Sequence, residues 1–413
     1  MKNELKLASP FALKEGFTLK NRLIKSALSE ALAHTDGRPS KELIQLYQTW
    51  SKSGAGVLIT GNVMIDSRAI GEPGNVIIED EKNLDLIKEW ADAAKSGGSE
   101  VWMQINHPGK QAIRGLNKET VSPSAVPFSP KMAAVFATPR ELTQHEIEDL
   151  IQRYANTAEI AKKAGFSGVQ LHGAHGYLIS QFLSPHHNRR TDQWGGSIEN
   201  RRRFVLEVYK EIRNRVGADY PVSIKLNSAD FQRGGFTEEE SLATIQALDE
   251  VGIDLIEISG GTYEKPIMQL GKPKESTISR EAYFLDFAKK VRGLSKVPLM
   301  VTGGFRSLQG IESALSNNDL DFVGLGRIFA IEPLATKRLL SGLETINQVK
   351  PLTTGIKFID NLGSLEITWY TRQMHRLGRG VLPIPNENGL KSFILDIKDK
   401  GLGIFKTRRL RAS

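Results

Sequence analysis

The sequence predicts the α/β class and, within it, a parallel (β/α)8 TIM barrel: one domain over residues 1–345 with a C-terminal extension over 346–413. Three observations lead there. Eight short apolar or alternating runs recur along the chain, each followed by an amphipathic helical pattern, and this alternation builds parallel sheets. Several helical patterns stop at a glycine just before the next run, as at Gly165, Gly217 and Gly252. The number of units matches a closed barrel; a doubly wound open sheet is the competing arrangement.

The strand-like runs are NRLIKSAL (21–28), GVLITGNVM (56–64), EVWMQINH (100–107) and GVQLHGAH (168–175), then PVSIKLNSAD (221–230), DLIEISGG (254–261), VPLMVTGGF (297–305) and DFVGLGRIF (321–329). Between them, SKELIQLYQTWSKSG, TQHEIEDLIQRYANTAEIAKKAG and TEEESLATIQALDEVG read as helices. The last opens with Thr237 three residues before Glu240, a capping-box pattern. Residues 108–142, after the third run, and 262–278, after the sixth, are longer than tight connections. In a barrel both open at the C-terminal face, where active sites sit, so they are candidate lids or pocket walls.

Composition narrows the function. The chain of 413 residues is 40% hydrophobic and 25% charged, ordinary for a soluble globular protein. The absence of cysteine excludes disulfides, thiolate–zinc sites and cysteine-ligated iron–sulfur clusters. The opening MKNELKLASPFALKEG has no apolar signal core, and no run approaches the roughly 18 apolar residues of a membrane span, so a cytoplasmic protein is expected. The formal charge is +8, and Lys391–Ser413 alone holds seven Lys or Arg against two Asp. A solvated basic end is the expected reading of that tail, not a nucleic-acid or membrane surface.

The chemistry concentrates at strand ends. Alternation puts Trp102, Gln104 and Asn106 on one face of the third run, and Ser223, Lys225 and Asn227 on one face of the fifth. Polar groups on strands covered on both sides are costly unless satisfied. A planar polar ligand at the barrel mouth would satisfy Gln104 and Lys225; an internal hydrogen-bond network is the equal alternative. Gly303-Gly304 closes the seventh run, and Gly326-Arg327 follows Gly324 in the eighth. Backbone N–H groups in such turns hold phosphate, and the last two loops are the usual phosphate cradle of these barrels. Glycine for a tight turn is the alternative at each position. No GxGxxG fingerprint follows any run, so if the protein oxidises a nicotinamide, that nicotinamide must visit the site and leave, which favours a tightly held redox cofactor in the cradle. HGAHGYLISQFLSPHH carries four of the eight histidines, His172, His175, His186 and His187, without an HExxH or carboxylate-rich pattern, so no metal site is expected.

Together, NRLIKSALSE, MQINHPGKQA, GFSGVQLHGAHGYLISQFLSPHHNRRTDQWGGSIENRRRF, VTGGFR and VGLGRIF resemble the Old Yellow Enzyme family of FMN-dependent ene-reductases, in order and spacing over most of residues 5–340. The resemblance implies a (β/α)8 barrel with tightly bound, noncovalent FMN at the C-terminal mouth. Exchangeable NAD(P)H would reduce it, and an electron-poor alkene or quinone-like small molecule would reoxidise it in ping-pong fashion. It also implies that Gln104 bonds the flavin pyrimidine edge and that Ser29 lies near flavin O4. Lys225 would stand near N1, where positive charge stabilises the reduced flavin. Gly303, Gly304, Gly326 and Arg327 would cradle the phosphate. His172 and His175 would clamp a substrate carbonyl and Tyr177 would donate a proton; a tyrosine capping the mouth by packing alone is the plainer alternative. His186 and His187 read as structural or rim residues. Two positions depart from the pattern: Lys110 for Arg in H-x-G-R and Trp194 for Tyr in D-x-Y-G-G. A phosphate-binding lyase with Lys225 as Schiff-base nucleophile, and a non-catalytic binding barrel, stand as rival readings.

Overall fold

The computed structural model describes residues 5–133, 135–261, 284–344, 352–356, 360, 365–395 and 397–398. Eight strands, β1 (Leu23–Lys25), β2 (Val57–Ile59), β3 (Glu100–Asn106), β4 (Gly168–Gly173), β5 (Val222–Asn227), β6 (Leu255–Ser259), β7 (Leu299–Thr302) and β8 (Phe322–Leu325), pair in parallel with their sequence neighbours. The pairing of β8 with β1 closes the ring, so the arrangement is the barrel and not the open sheet. Each strand leads into a helix: α1 (Lys41–Ser51), α2 (Leu84–Lys95), α3 (Gln144–Lys163), α4 (Ile198–Val216), α5 (Glu238–Glu250), α6 (Leu285–Arg292), α7 (Leu308–Ser316) and α8 (Ala335–Leu340). The capping box at Thr237 and Glu240 forms, and a second one forms at Thr143 and Glu146.

The strands are shorter than the apolar runs, because their last residues leave the ladder and enter the mouth. Inside the barrel, alternation stacks two chemistries. Near the N-terminal end Ile24, Trp102, Leu255, Met300 and Phe322 form an apolar plug, and a hairpin of Phe11–Lys14 with Phe17–Leu19 closes it from below with Leu13 and Leu19. Two residues further along each of four of these strands the inward side chain is polar: Ser26 lies just past β1, Gln104 on β3, Glu257 on β6 and Thr302 on β7, all buried. On the outer faces Leu58, Val101, Val169, Ile224, Ile256 and Val323 pack against the helices in the main core. Gly324 takes the corresponding inward place on β8, where a Cβ would lie 1.9 Å from Thr302 Oγ1 and 2.5 Å from Ser26 Oγ.

Beyond the eighth unit, α9 (Leu365–Gly378) lies on the barrel wall against α1, close enough that a Cβ on Gly378 would sit 2.7 Å from the Glu42 carbonyl. It reaches the loop after β1, where Thr371 Oγ1 donates to the Ser29 carbonyl at 3.4 Å and His375 Nε2 to the Glu30 carbonyl at 2.8 Å. The 262–278 connection lies outside the described residues, as does most of the basic tail. No helix among the described residues is long and apolar enough to cross a membrane.

The absence of space at Gly324 carries a test. Gly324→Ala should destabilise the fold by about 1–3 kcal/mol, the usual cost of overpacking, seen as a lower urea midpoint with an unchanged slope. An unaltered midpoint would mean the two hydroxyls yield freely.

Candidate active site

The C-terminal mouth is lined by a continuous line of buried polar side chains. Strand register creates it: Gln104 stands directly opposite Gln170, and Lys225 directly opposite Glu257. Gln104 Nε2 donates to Gln170 Oε1 at 2.8 Å, and Gln170 Nε2 donates to Glu257 Oε2 at 2.9 Å. On the other carboxylate oxygen, Lys225 Nζ lies 3.0 Å away and Thr302 Oγ1 donates at 2.6 Å. Ser26 Oγ is 2.7 Å from Thr302 Oγ1. The line therefore crosses from β3 through β4, β5, β6 and β7 to the end of β1.

The phosphate-type loops sit side by side, because Thr302 and Gly324 are register partners on β7 and β8. Gly303 and Gly304 adopt φ of 111° and 93°, a region glycine enters freely and other residues do not. Among the described residues, no hydrogen bond within the chain uses the N–H of Gly303, Gly304, Gly326 or Arg327. Four unclaimed amides in adjacent turns suit an oxyanion. The Arg327 guanidinium is turned elsewhere, 2.8 Å from Glu366 on α9.

The turn after β4 gathers the aromatic acid–base groups. The rings of His172 and Tyr177 are 4.6 Å apart and those of His172 and His175 are 5.2 Å apart, all edge-on. His175 sits at φ 59°, its N–H bonded to Asn227 Oδ1 at 3.1 Å and its Nε2 2.7 Å from Ser259 Oγ. The Ala174 N–H approaches His172 Nδ1 at 3.4 Å, which leaves the ring proton on Nε2. Burial, then His175 and Lys225, press the His172 pKa well below the ordinary imidazole value. Burial first and Lys225 second lower that of His175 to about 3. Both rings are neutral donors at physiological pH. Asn62 Nδ2 donates to the Tyr177 hydroxyl oxygen at 3.3 Å.

The structure thus brings Gln104, Lys225, His172, His175 and Tyr177 together on β3–β5 and sets the four loop residues beside β1. Three contacts within the chain add to this picture. Lys225 is paired with the buried Glu257 carboxylate. His175 directs Nε2 at Ser259. Ser29 Oγ donates to Glu72. Of the remaining histidines, His187 is buried and His186 Nε2 lies 3.1 Å from Gln232 Nε2. Among the described residues no group of three or more metal-binding side chains assembles. Lys110 is buried, its ammonium 3.2 Å from the Val126 carbonyl and over the Phe128 ring, and Trp194 is buried in the main core. Gln170, Glu257, Thr302, Ser26 and Asn62 were not anticipated. The signal for two of them was present, since the alternation that selects Lys225 also puts Gln170 with His172 and Glu257 with Ser259.

Residues 6–345 match the family of NADH:flavin oxidoreductases / NADH oxidases, whose cofactor is FMN. The chain belongs to that family. An NADH-dependent flavin oxidoreductase of Hypocrea jecorina (strain QM6a) is 35% identical over 395 residues, covering 90% of this chain and 96% of the relative. The solved complex of 2-naphthoyl-CoA reductase with 2-naphthoyl-CoA aligns with a TM-score of 0.75 at 29% identity, over 82% of this chain and 52% of that one. Morphinone reductase aligns at 0.71 and 26%, over 84% and 92%. This is an FMN-dependent NADH:flavin oxidoreductase of the Old Yellow Enzyme type. The lyase and binding-barrel readings fall away.

Neutral histidines carry a signed pH test. A neutral cyclic ketone should bind with an affinity constant within about twofold from pH 5.5 to 8, because neither ring gains a proton there. Affinity that rises as pH falls through 6.5 would mean that an imidazolium does the binding. The same depressed values, with His107 lowered to about 4 by burial, make the unfolded chain bind more protons than the native one below the ordinary value of 6.5. Their contribution to stability is whole above pH 6.5 and declines progressively below it.

Proposed function

We propose that this oxidoreductase reduces α,β-unsaturated carbonyls, or quinone-like acceptors, at the mouth described above. The grouping of two neutral imidazoles with a buried phenol in one turn, beside a polar edge and an anion-binding loop pair, carries the reading. FMN held there would supply the two-electron redox chemistry that links NAD(P)H to the acceptor. The unclaimed amides of Gly303, Gly304, Gly326 and Arg327 suit its phosphate. Gln104 and Lys225 suit the pyrimidine edge, and the loop carrying Ser29 closes the side nearest α9.

His172 Nε2–H donates to the acceptor's carbonyl oxygen, with the His175 ring beside it, and this polarises the alkene without adding a proton. Tyr177 supplies the proton at the α-carbon; the Asn62 amide donates to its oxygen. NAD(P)H and the acceptor take turns in one site, because the chain has no separate dinucleotide-binding fingerprint. A naphthoyl-CoA reductase and a morphinone reductase among the structural neighbours support a small-molecule acceptor.

Tyr177→Phe tests the assignment of the proton. Flavin reduction by NAD(P)H should keep nearly its parental rate, whereas reoxidation by a simple cyclic enone should slow by roughly 10²–10⁴-fold, the usual worth of a positioned acid. Quinone acceptors, which need no proton at carbon, should be much less affected. Stopped-flow measurement of both half-reactions decides it: equal slowing of the two points to a damaged pocket, and no slowing with the enone removes Tyr177 from the reaction.

A further inference from the structure

Glu257 is the one carboxylate in the polar line, and its chemistry fixes the direction of every hydrogen bond around it. An ionised carboxylate only accepts. Gln170 must therefore turn its NH2 to Glu257 and its carbonyl oxygen to Gln104, as the 2.9 and 2.8 Å contacts show. Gln104 must answer with its own NH2, which leaves its Oε1 and one N–H for a ligand. Thr302 likewise spends its hydroxyl hydrogen on Glu257 at 2.6 Å, so Ser26 is the donor in the next bond. The same carboxylate holds Lys225 Nζ at 3.0 Å.

We propose that Glu257 is a positioning residue for FMN: it sets which atoms Gln104 presents to the flavin's pyrimidine edge and balances the charge of Lys225 beside that edge. The proposal rests on the assignment of Gln104 and Lys225 to the flavin. An edge with both a carbonyl and an N–H pairs with Gln104 as it stands, in two complementary bonds. Were the amide reversed, donor would face donor. The paired ammonium also stabilises added negative charge on reduction less than an unpaired one does.

Glu257→Gln separates these effects from a merely structural role. The new amide keeps its oxygen toward Lys225 and Thr302 and turns NH2 toward Gln170, which must flip and force Gln104 to flip in turn. Oxidised FMN should then bind about tenfold more weakly, read as flavin released from the diluted holoenzyme. Reduced FMN should be favoured over oxidised at least tenfold more than in the parent, about 30 mV more positive for this two-electron couple. The exchange Glu257→Gln with Gln170→Glu restores an acceptor opposite Gln104 and should return FMN affinity to within about threefold of the parent. It also keeps every partner bonded, and so serves if the single variant does not fold.

Weaker binding with an unmoved potential and no recovery in the exchanged variant would mean that Glu257 only props the barrel, and would overturn the proposal, as would unchanged affinity and potential in a folded Glu257→Gln protein. Gln104→Ala is the control for the underlying assignment. If it leaves FMN affinity intact, Gln104 does not meet the flavin and the proposal falls with that reading; if it weakens FMN while Glu257→Gln changes nothing, the fault lies with Glu257 alone.

Discussion

The ion pair of Lys225 and Glu257 is the constraint around which the mouth of this barrel is organised. Both groups are buried, and a charge in such a place is tolerated only when paired and hydrogen-bonded. Removing one partner of a buried pair costs about 3–5 kcal/mol, whereas replacing both with well-packed apolar groups is often neutral or stabilising. A pair of this kind is therefore a poor device for stability alone. Its value lies in what it orients: the amides of Gln170 and Gln104 on one side, and the hydroxyls of Thr302 and Ser26 on the other.

Barrel geometry is what makes the pair possible. Lys225 and Glu257 face each other because β5 and β6 are in one register, and a slip of one residue in either strand would send that strand's member of the pair into the helix layer. Two residues below lies a sealed apolar plug with Trp102 and Phe322, so the polar line is supported from beneath by close packing. At the rim, adjacent turns after β7 and β8 keep four amides unclaimed among the described residues, and α9 braces the loop that carries Ser29. Burial and Lys225 keep His175 neutral, and burial, His175 and Lys225 do the same for His172. Lys225 thus adds to the burial that holds both rings neutral.

Much of this was legible in the sequence. The eight strand–helix units, the capping box at Thr237 and the glycines after β7 and β8 are local signals, because periodicity and turn chemistry act within a few residues. Gln104 and Lys225 were found because polar side chains on doubly covered strands demand partners. The partners themselves were not, since Gln170 and Glu257 meet them only through the register of neighbouring strands, which no single run encodes. Of the two readings of Gln104 and Lys225, ligand edge and internal network, the structure contains the second in a form that leaves room for the first. The network exists, and it leaves Gln104 Oε1 without a partner among the described residues. Asn62 escaped notice because its side chain reaches Tyr177 across 115 positions of sequence.

An experimental structure of the FMN-loaded protein is the most direct measurement. The pyrimidine edge of the flavin should lie within hydrogen-bond distance of the Gln104 amide and of Lys225 Nζ, with Lys225 still paired to Glu257 and the phosphate on the amides of Gly303, Gly304, Gly326 and Arg327. A flavin whose phosphate lies elsewhere, or whose pyrimidine edge touches neither Gln104 nor Lys225, would show that the buried polar line is an internal network and nothing more.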